Sequence, residues 1–182
     1  MRALPNILTI SRIGLIPMLL LALYVAEHVG HWVAAAIFAL ALLTDYFDGA
    51  LARNLEAQSS FGRIWDPIAD KLLTASTLIM LVGFGKAPML PALLIICREI
   101  VVSGLREYLA EFKVSIPVSR LAKVKTFLQF TAILLLIIGQ EHEGDIIAIV
   151  YYLGEICLWV AAILTLMTGY TYLKEGFTKV EL

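Results

Sequence analysis

The sequence predicts an all-α integral membrane protein with six transmembrane helices and an N-terminal juxtamembrane segment. Three observations lead there. Of its 182 residues, 60% are hydrophobic and only 16% charged, with a mean hydropathy of +0.88, whereas an average soluble domain is about 45–50% apolar and roughly 25% charged. Six apolar stretches follow one another, each near the roughly 20 residues that a bilayer core requires of a helix. The basic residues gather on one set of connections. No repeat, linker or low-complexity tract divides the chain, so residues 1–182 are expected to form one membrane-embedded domain.

The stretches centre on 7–26, 32–53, 66–84, 88–111, 121–139 and 146–173. The first follows Arg2 and resembles a secretory leader. Arg12 and Pro17 interrupt it, however, and no small-residue cleavage site follows, so it is expected to stay as a membrane helix. At its start Asn6, Thr9 and Arg12 recur every third residue. That spacing fits a juxtamembrane helix beside lipid headgroups, or a helix start whose arginine snorkels outward. In the second stretch the uninterrupted apolar run from Trp32 to Thr44 has 13 residues. This is about 20 Å of helix, short of a core of roughly 30 Å. The helix must therefore continue through Asp45, Asp48 and Gly49 to near Arg53, drawing the acids into the membrane edge, where carboxylates are costly and mark function. The later stretches are set off by Arg53 to Gly62, Gly85 to Pro88, Lys113 to Arg120 and Gln140 to Asp145, all rich in Gly, Pro or charge. Cys97 and Cys157 fall inside apolar stretches without a CxxC spacing and are expected to be small buried hydrophobes.

Charge sets the orientation. With both termini cytoplasmic, Arg2, Arg12, Arg53, Arg63, Lys71, Lys113, Arg120, Lys123, Lys125, Lys174 and Lys179 share one side, which is 11 of the 14 Lys and Arg. Arg98 and Arg106 lie within the fourth helix, and Lys86 alone falls outside. The outer loops hold Glu27, Glu141, Glu143 and Asp145. This asymmetry predicts an N-in, C-in topology. His28, His31 and His142 then map to the outer interface. The formal net charge of −1 gives no reason to expect a nucleic-acid partner.

The chemistry is concentrated in Asp45-Tyr-Phe-Asp48-Gly49-Ala-Leu-Ala52-Arg53 and, eight residues on, Gly62-Arg-Ile-Trp-Asp66-Pro-Ile-Ala-Asp70. On a helix, positions 45, 48, 49 and 52 share a face, and 62, 66 and 70 form a stripe on the next. A short turn makes the two helices antiparallel neighbours, so four carboxylates converge near one membrane surface. Like charges cannot share a site without neutralisation. Arg53 and Lys71 can supply part of it. Divalent cations do so better, and an all-oxygen site without His or Cys favours Mg²⁺, Mn²⁺ or Ca²⁺ over zinc. Gly49, Ala52 and Gly62 leave space beside the acids, for close helix packing, for a nucleotide, or for both. A divalent-cation transporter is the rival class, but it predicts acids near the midplane and repeat symmetry.

The string D-x2-D-G-x2-A-R-x8-G-x3-D-x3-D matches the signature of the CDP-alcohol phosphotransferases at every specified position of residues 45–70. The chain resembles that family over nearly its whole length. The resemblance implies the family's fold: a homodimer of six-helix subunits in the cytoplasmic membrane of a bacterium, with a site open to the cytoplasm and the inner leaflet. It implies that Asp45, Asp48 and Asp66 ligate two Mg²⁺ or Mn²⁺ ions, with Asp70 at the second ion and acting as general base. It further implies that Gly49, Ala52, Arg53 and Gly62 line the CDP pocket together with Asp45, Asp48 and Asp66.

The signature fixes the donor better than the acceptor. Arg98 and Arg106, eight apart, share a helical face, and Lys123 and Lys125 open the fifth span. Such cations suit an acceptor that carries a phosphate. Alternatively, Arg98 pairs with Glu99, Arg106 pairs with Glu107, and the lysines only follow the positive-inside rule. The runs Pro5-Asn6-Ile-Leu-Thr9-Ile-Ser-Arg12, Arg98-Glu99-Ile-Val-Val-Ser-Gly-Leu-Arg106-Glu107 and Lys123-Val-Lys125-Thr126 resemble the bacterial branch of the family that joins CDP-diacylglycerol to sn-glycerol 3-phosphate. This implies roles for Asn6, Thr9, Arg12, Arg98, Arg106, Lys123 and Lys125 at the acceptor phosphate or lipid headgroup. Phosphatidylglycerol, inositol phosphate and serine are the competing acceptors.

Overall fold

The computed structural model describes residues 3–25, 30–55, 60–112, 114, 119–139 and 144–180, with side chains described for 11–25, 30–44, 65–112, 114, 119–139 and 144–178. These residues form six helices: α1 (Ala3–Val25), α2 (Gly30–Leu55), α3 (Ser60–Gly83), α4 (Met89–Glu111), α5 (Arg120–Ile138) and α6 (Gly144–Val180). No strand occurs among the described residues. Among the described residues two helices, α5 and α6, are long and apolar enough to cross a membrane. The segment carrying Asn6, Thr9 and Arg12 is the first part of α1 itself rather than a separate helix. Helix α2 runs unbroken to Leu55, the extension that the short apolar run requires.

The chain forms two compact units, Met1–Gly83 and Phe84–Leu182. In the first, α1 packs against both α2 and α3. Among the described residues, α2 and α3 pack on α1 more extensively than on each other. Spacing explains the choice. Arg12, Ile16, Leu19 and Leu23 are buried along one face of α1, and Ala34, Ala35, Phe38 and Ala41 along one face of α2. On α3, Ala69, Leu73, Thr74, Thr77, Leu78 and Leu81 are buried. Small side chains on α2 let α1 approach closely. Thr77 Oγ1 donates to the Leu73 carbonyl at 2.7 Å, so its hydroxyl is satisfied in the core.

In the second unit α6 packs against both α5 and α4. Helix α5 starts at Ser119, whose side chain accepts from the Ala122 amide at 3.2 Å. Its C-terminus receives Lys86, whose Nζ donates to the carbonyls of Ile137 and Gly139, each at 3.3 Å. A cation there complements the helix dipole, which gives Lys86 a local reason. Gly85 makes the preceding turn at a φ of 70°. Helix α6 has 37 residues, about 55 Å, and extends past the expected end near residue 173. Small residues let its neighbours dock. Gly154 lies against Leu135 and Leu136, Gly169 against Arg98, and Gly176 against Leu105 and Leu109.

The outward faces are apolar as well. Leu21, Ile79, Ile100, Ile146 and Ile163 are among the exposed large hydrophobics, a pattern that water penalises and lipid does not. Cys97 belongs to this surface: it is exposed on α4, contrary to expectation, and Cys157 is half-buried.

Candidate active site

The acids extend the core stripes of the first unit. On α2 the buried register of Ala34, Phe38 and Ala41 continues at the same spacing to positions 45, 48 and 52. Asp45, Asp48, Gly49, Ala52 and Arg53 are all helical there, as is Gly62 on α3, but their side chains lie outside the described residues. The same holds for Asn6 and Thr9 on α1. On α3, Asp66 and Asp70 are both half-buried, one turn apart, and each sits seven residues before a buried core position, Leu73 and Thr77. Connections of four residues, 26–29 and 56–59, join the three helices. Connections this short make consecutive helices antiparallel, so Arg12, positions 45 and 48, and Asp66 and Asp70 belong to the same end of the unit.

Two neighbours bear on the charge of this site. Pro67 lies inside α3 between the acids and has no amide to give the carbonyl four residues earlier. Lys71 Nζ turns back to donate to the Pro67 carbonyl at 3.1 Å, and among the described residues it makes no ion pair with an acid. Arg12 is only 1% exposed, a buried end of the α1 core stripe rather than a snorkelling residue. Arg12, Asp66 and Asp70 are all engaged by neighbouring groups. The described donors are carboxylate oxygens on adjacent turns, without sulfur or imidazole, which fits a hard divalent cation.

The second unit engages the other cations through α6 and one shared acid. Arg98 Nη1 meets Glu99 Oε1 at 3.2 Å, and its Nη2 donates to Thr168 Oγ1 of α6 at 3.1 Å. Lys125, on α5 and 4% exposed, pairs with the same Glu99 oxygen. Arg106 lies over the Tyr172 ring at 5.4 Å, a cation–π contact with α6. Arg98 and Arg106 thus share the α6-facing side of α4, as their spacing predicts. Lys123 is exposed and parts from Lys125. The pairing of Arg98 with Glu99 was foreseeable from adjacency. The Glu99–Lys125 pair, 26 residues apart, and the contribution of Thr168 carried no sequence signal.

Comparison with known proteins gives the class to which this helical chain belongs. The family model for CDP-alcohol phosphatidyltransferase matches residues 2–167, and the chain belongs to that family. It is 52% identical over 171 residues to the CDP-diacylglycerol–glycerol-3-phosphate 3-phosphatidyltransferase of Rickettsia felis, covering 94% of this chain and 93% of that protein. Proteins of the same name from Pectobacterium atrosepticum and Bacillus subtilis are 37% and 34% identical, over 94% and 96% of this chain and 93% and 95% of their own lengths. Members of the family work with divalent metal ions.

Proposed function

We propose that this chain transfers the phosphatidyl group from CDP-diacylglycerol to sn-glycerol 3-phosphate, giving phosphatidylglycerophosphate and CMP. The observation that carries the reading is near-full-length similarity to enzymes bearing that name, at up to 52% identity in the proteins cited, with the intact acid signature inside the aligned span. The family model runs through both compact units, which supports treating residues 1–182 as one functional domain.

In this reading Asp45, Asp48 and Asp66 hold two divalent ions, Mg²⁺ or Mn²⁺, with Asp70 beside the second. When bound, such ions would supply neutralisation of the pyrophosphate and of the charge that grows on departing CMP. Asp70 accepts the proton of the acceptor hydroxyl while that oxygen attacks the lipid-side phosphorus in line and the bond to CMP breaks. Gly49, Ala52, Arg53 and Gly62 line the cytidine diphosphate pocket. Arg98, Arg106, Lys123 and Lys125, with Asn6, Thr9 and Arg12, serve the acceptor phosphate or the lipid headgroup. The burial of Lys125 beside Arg98 supports the phosphate role, because cations removed from water bind a dianion more strongly.

All six helices are read as spans of a bacterial cytoplasmic membrane, N-in and C-in. The apolar exposed faces of α1 to α4 support this alongside α5 and α6. Homodimerisation belongs to the same proposal and rests on the family resemblance. The test is CMP release by purified protein given CDP-diacylglycerol and each alcohol in turn. Release that requires sn-glycerol 3-phosphate supports the assignment; release that requires inositol phosphate, serine or phosphatidylglycerol instead overturns it.

A further inference from the structure

In the second unit three buried polar atoms have no hydrogen-bond partner among the described residues: Arg98 Nε on α4, Gln129 Oε1 on α5 and Thr165 Oγ1 on α6. Gln129 is 3% exposed and Thr165 0%. A polar atom buried without a partner is costly, and native proteins keep few of them. Thr165 is informative by comparison with its neighbours. Thr77, Thr126 and Thr168 each turn their hydroxyl onto the carbonyl four residues back, the local bond open to any helical threonine. Thr165 does not, so its hydroxyl is left for a group outside its own helix.

The three atoms border one seam. Gly169 follows Thr165 by one turn on the same face of α6, and a Cβ there would stand 3.0 Å from Arg98 Cγ and 3.4 Å from its Nε. Arg98 therefore rests on the α6 stripe that carries Thr165, with Nη1 on Glu99 and Nη2 on Thr168. Gln129 follows Lys125 by one turn on α5, and Lys125 meets the same Glu99. Helices α5 and α6 are antiparallel, with Gly139 against Tyr151 and Gly154 against Leu135 and Leu136. Continued along both helices, that register sets Lys125 level with Thr165, and Gln129 level with the fully buried Ala161.

An acceptor (Gln129 Oε1), a donor (Arg98 Nε) and a hydroxyl that can act as either suit a neutral hydroxyl, which donates one hydrogen bond and accepts another. They suit a phosphate or carboxylate badly, because its oxygens would face Gln129 Oε1. We propose that Gln129, Thr165 and Arg98 Nε form a hydroxyl subsite that recognises the secondary hydroxyl of glycerol phosphate and so selects the acceptor. The inference rests on the reading that sn-glycerol 3-phosphate is that acceptor, with its phosphate served by the cations of this unit. Of its two hydroxyls one attacks, and the secondary one is left to be recognised. One helical turn, about 5.4 Å, separates the level of Lys125 from that of Gln129, a length that a three-carbon phosphate can span.

The test uses the full-length protein in lipid–detergent micelles, with CMP release from CDP-diacylglycerol measured for two acceptors. One is sn-glycerol 3-phosphate. The other is 3-hydroxypropyl phosphate, which keeps the phosphate and the primary hydroxyl and lacks the secondary one. Wild type is expected to favour glycerol phosphate in kcat/KM by about 10²-fold or more, because the analogue leaves the polar atoms of the seam unmatched. Gln129→Leu is expected to bring that ratio within about tenfold, and Thr165→Val to lower it about tenfold. Thr165→Ser keeps the hydroxyl and is expected to hold the ratio within about threefold of wild type. A role in packing alone would move both acceptors alike and leave the ratio unchanged. Should Gln129→Leu not fold, the two Thr165 variants carry the test. Equal use of both acceptors by wild type overturns the inference. So does a ratio kept in both Gln129→Leu and Thr165→Val, the result expected of a seam that holds only water, or an equal loss in Thr165→Ser and Thr165→Val. In each of these cases glycerol phosphate is still turned over, and the proposed function stands. Absence of CMP release by wild type with either acceptor overturns that function and the inference with it.

Discussion

Substituting alanine for Gly139 adds a single methyl group where α5 ends against α6. Gly139 has a φ of −69°, a conformation any residue adopts, so backbone strain contributes nothing. The added carbon would stand 2.6 Å from both the Cα and the amide nitrogen of Tyr151, and 2.9 Å from the Leu135 carbonyl oxygen. All three obstacles are backbone, so no rotamer change relieves them, and α6 must move off by about 1 Å to restore ordinary contact. Overpacking of this kind costs about 1–3 kcal/mol. Gly154 offers an internal control on the same pair of helices. The atoms nearest its added methyl are Leu135 and Leu136 side-chain atoms at 3.0 to 3.2 Å, and leucine side chains can yield, for a cost below about 1 kcal/mol. For a chain of this size 1 kcal/mol corresponds to about 2–4 °C. Gly139→Ala is therefore expected to lower the unfolding temperature in micelles by about 2–12 °C, read from tryptophan fluorescence. Gly154→Ala is expected to lower it by less than about 4 °C. Equal shifts, or a larger one for Gly154→Ala, would refute the claim that α5 and α6 meet backbone to backbone at Gly139.

Asp70→Asn is expected to lower turnover by about 10²–10⁴-fold while CDP-diacylglycerol binding is largely kept; near-normal CMP release would end its assignment as base. Removing divalent cations with a chelator is expected to abolish CMP release, and Mg²⁺ or Mn²⁺ to restore it. Persistence of activity after exhaustive chelation would count against the carboxylates as metal ligands. Arg106→Ala is expected to raise the acceptor KM and leave the donor KM nearly unchanged, and an effect confined to the donor would reassign the residue. Lys86→Met removes both contacts at the α5 C-terminus and is expected to cost about 0.3–1 kcal/mol. The same thermal scan checks it, and an unchanged unfolding temperature would leave Lys86 without a capping role.

Hydropathy located the helices because apolar composition is what a membrane selects, and it misplaced those ends where the helix becomes polar. Helix α3 begins at Ser60, ahead of the apolar stretch, and α6 runs on through Lys174 and Glu175 to Val180. In the latter case Gly176 still packs on Leu105 and Leu109. Such contacts depend on tertiary partners and leave no mark in a hydropathy window. The acid positions follow the opposite logic: spacing along one helix decides which residues share a face, and Asp66 and Asp70 are both half-buried one turn apart. The cation cluster was half legible. Arg98 and Glu99 are neighbours in sequence, but Lys125 arrives from another helix. The sequence also grouped Lys123 with Lys125, although two residues on a helix lie on different faces, and the structure leaves one exposed and the other buried.

The same register logic explains why the first unit can carry acids without losing its core. The residues that pack α1 against α2 recur at helical spacing, and positions 45 and 48 are the next steps of that series after Ala41. On α3 the series runs the other way, from Thr77 and Leu73 back to Asp70 and Asp66. Each helix thus carries apolar residues along one half of a helical register and acidic positions along its continuation. Because α2 and α3 run in opposite directions, their acidic halves fall at one end of the unit, where α1 contributes the buried Arg12. An acid placed deeper would face only apolar side chains, and one placed on the outward face would meet lipid; both are costly. An acid at the end of the inward register avoids both penalties.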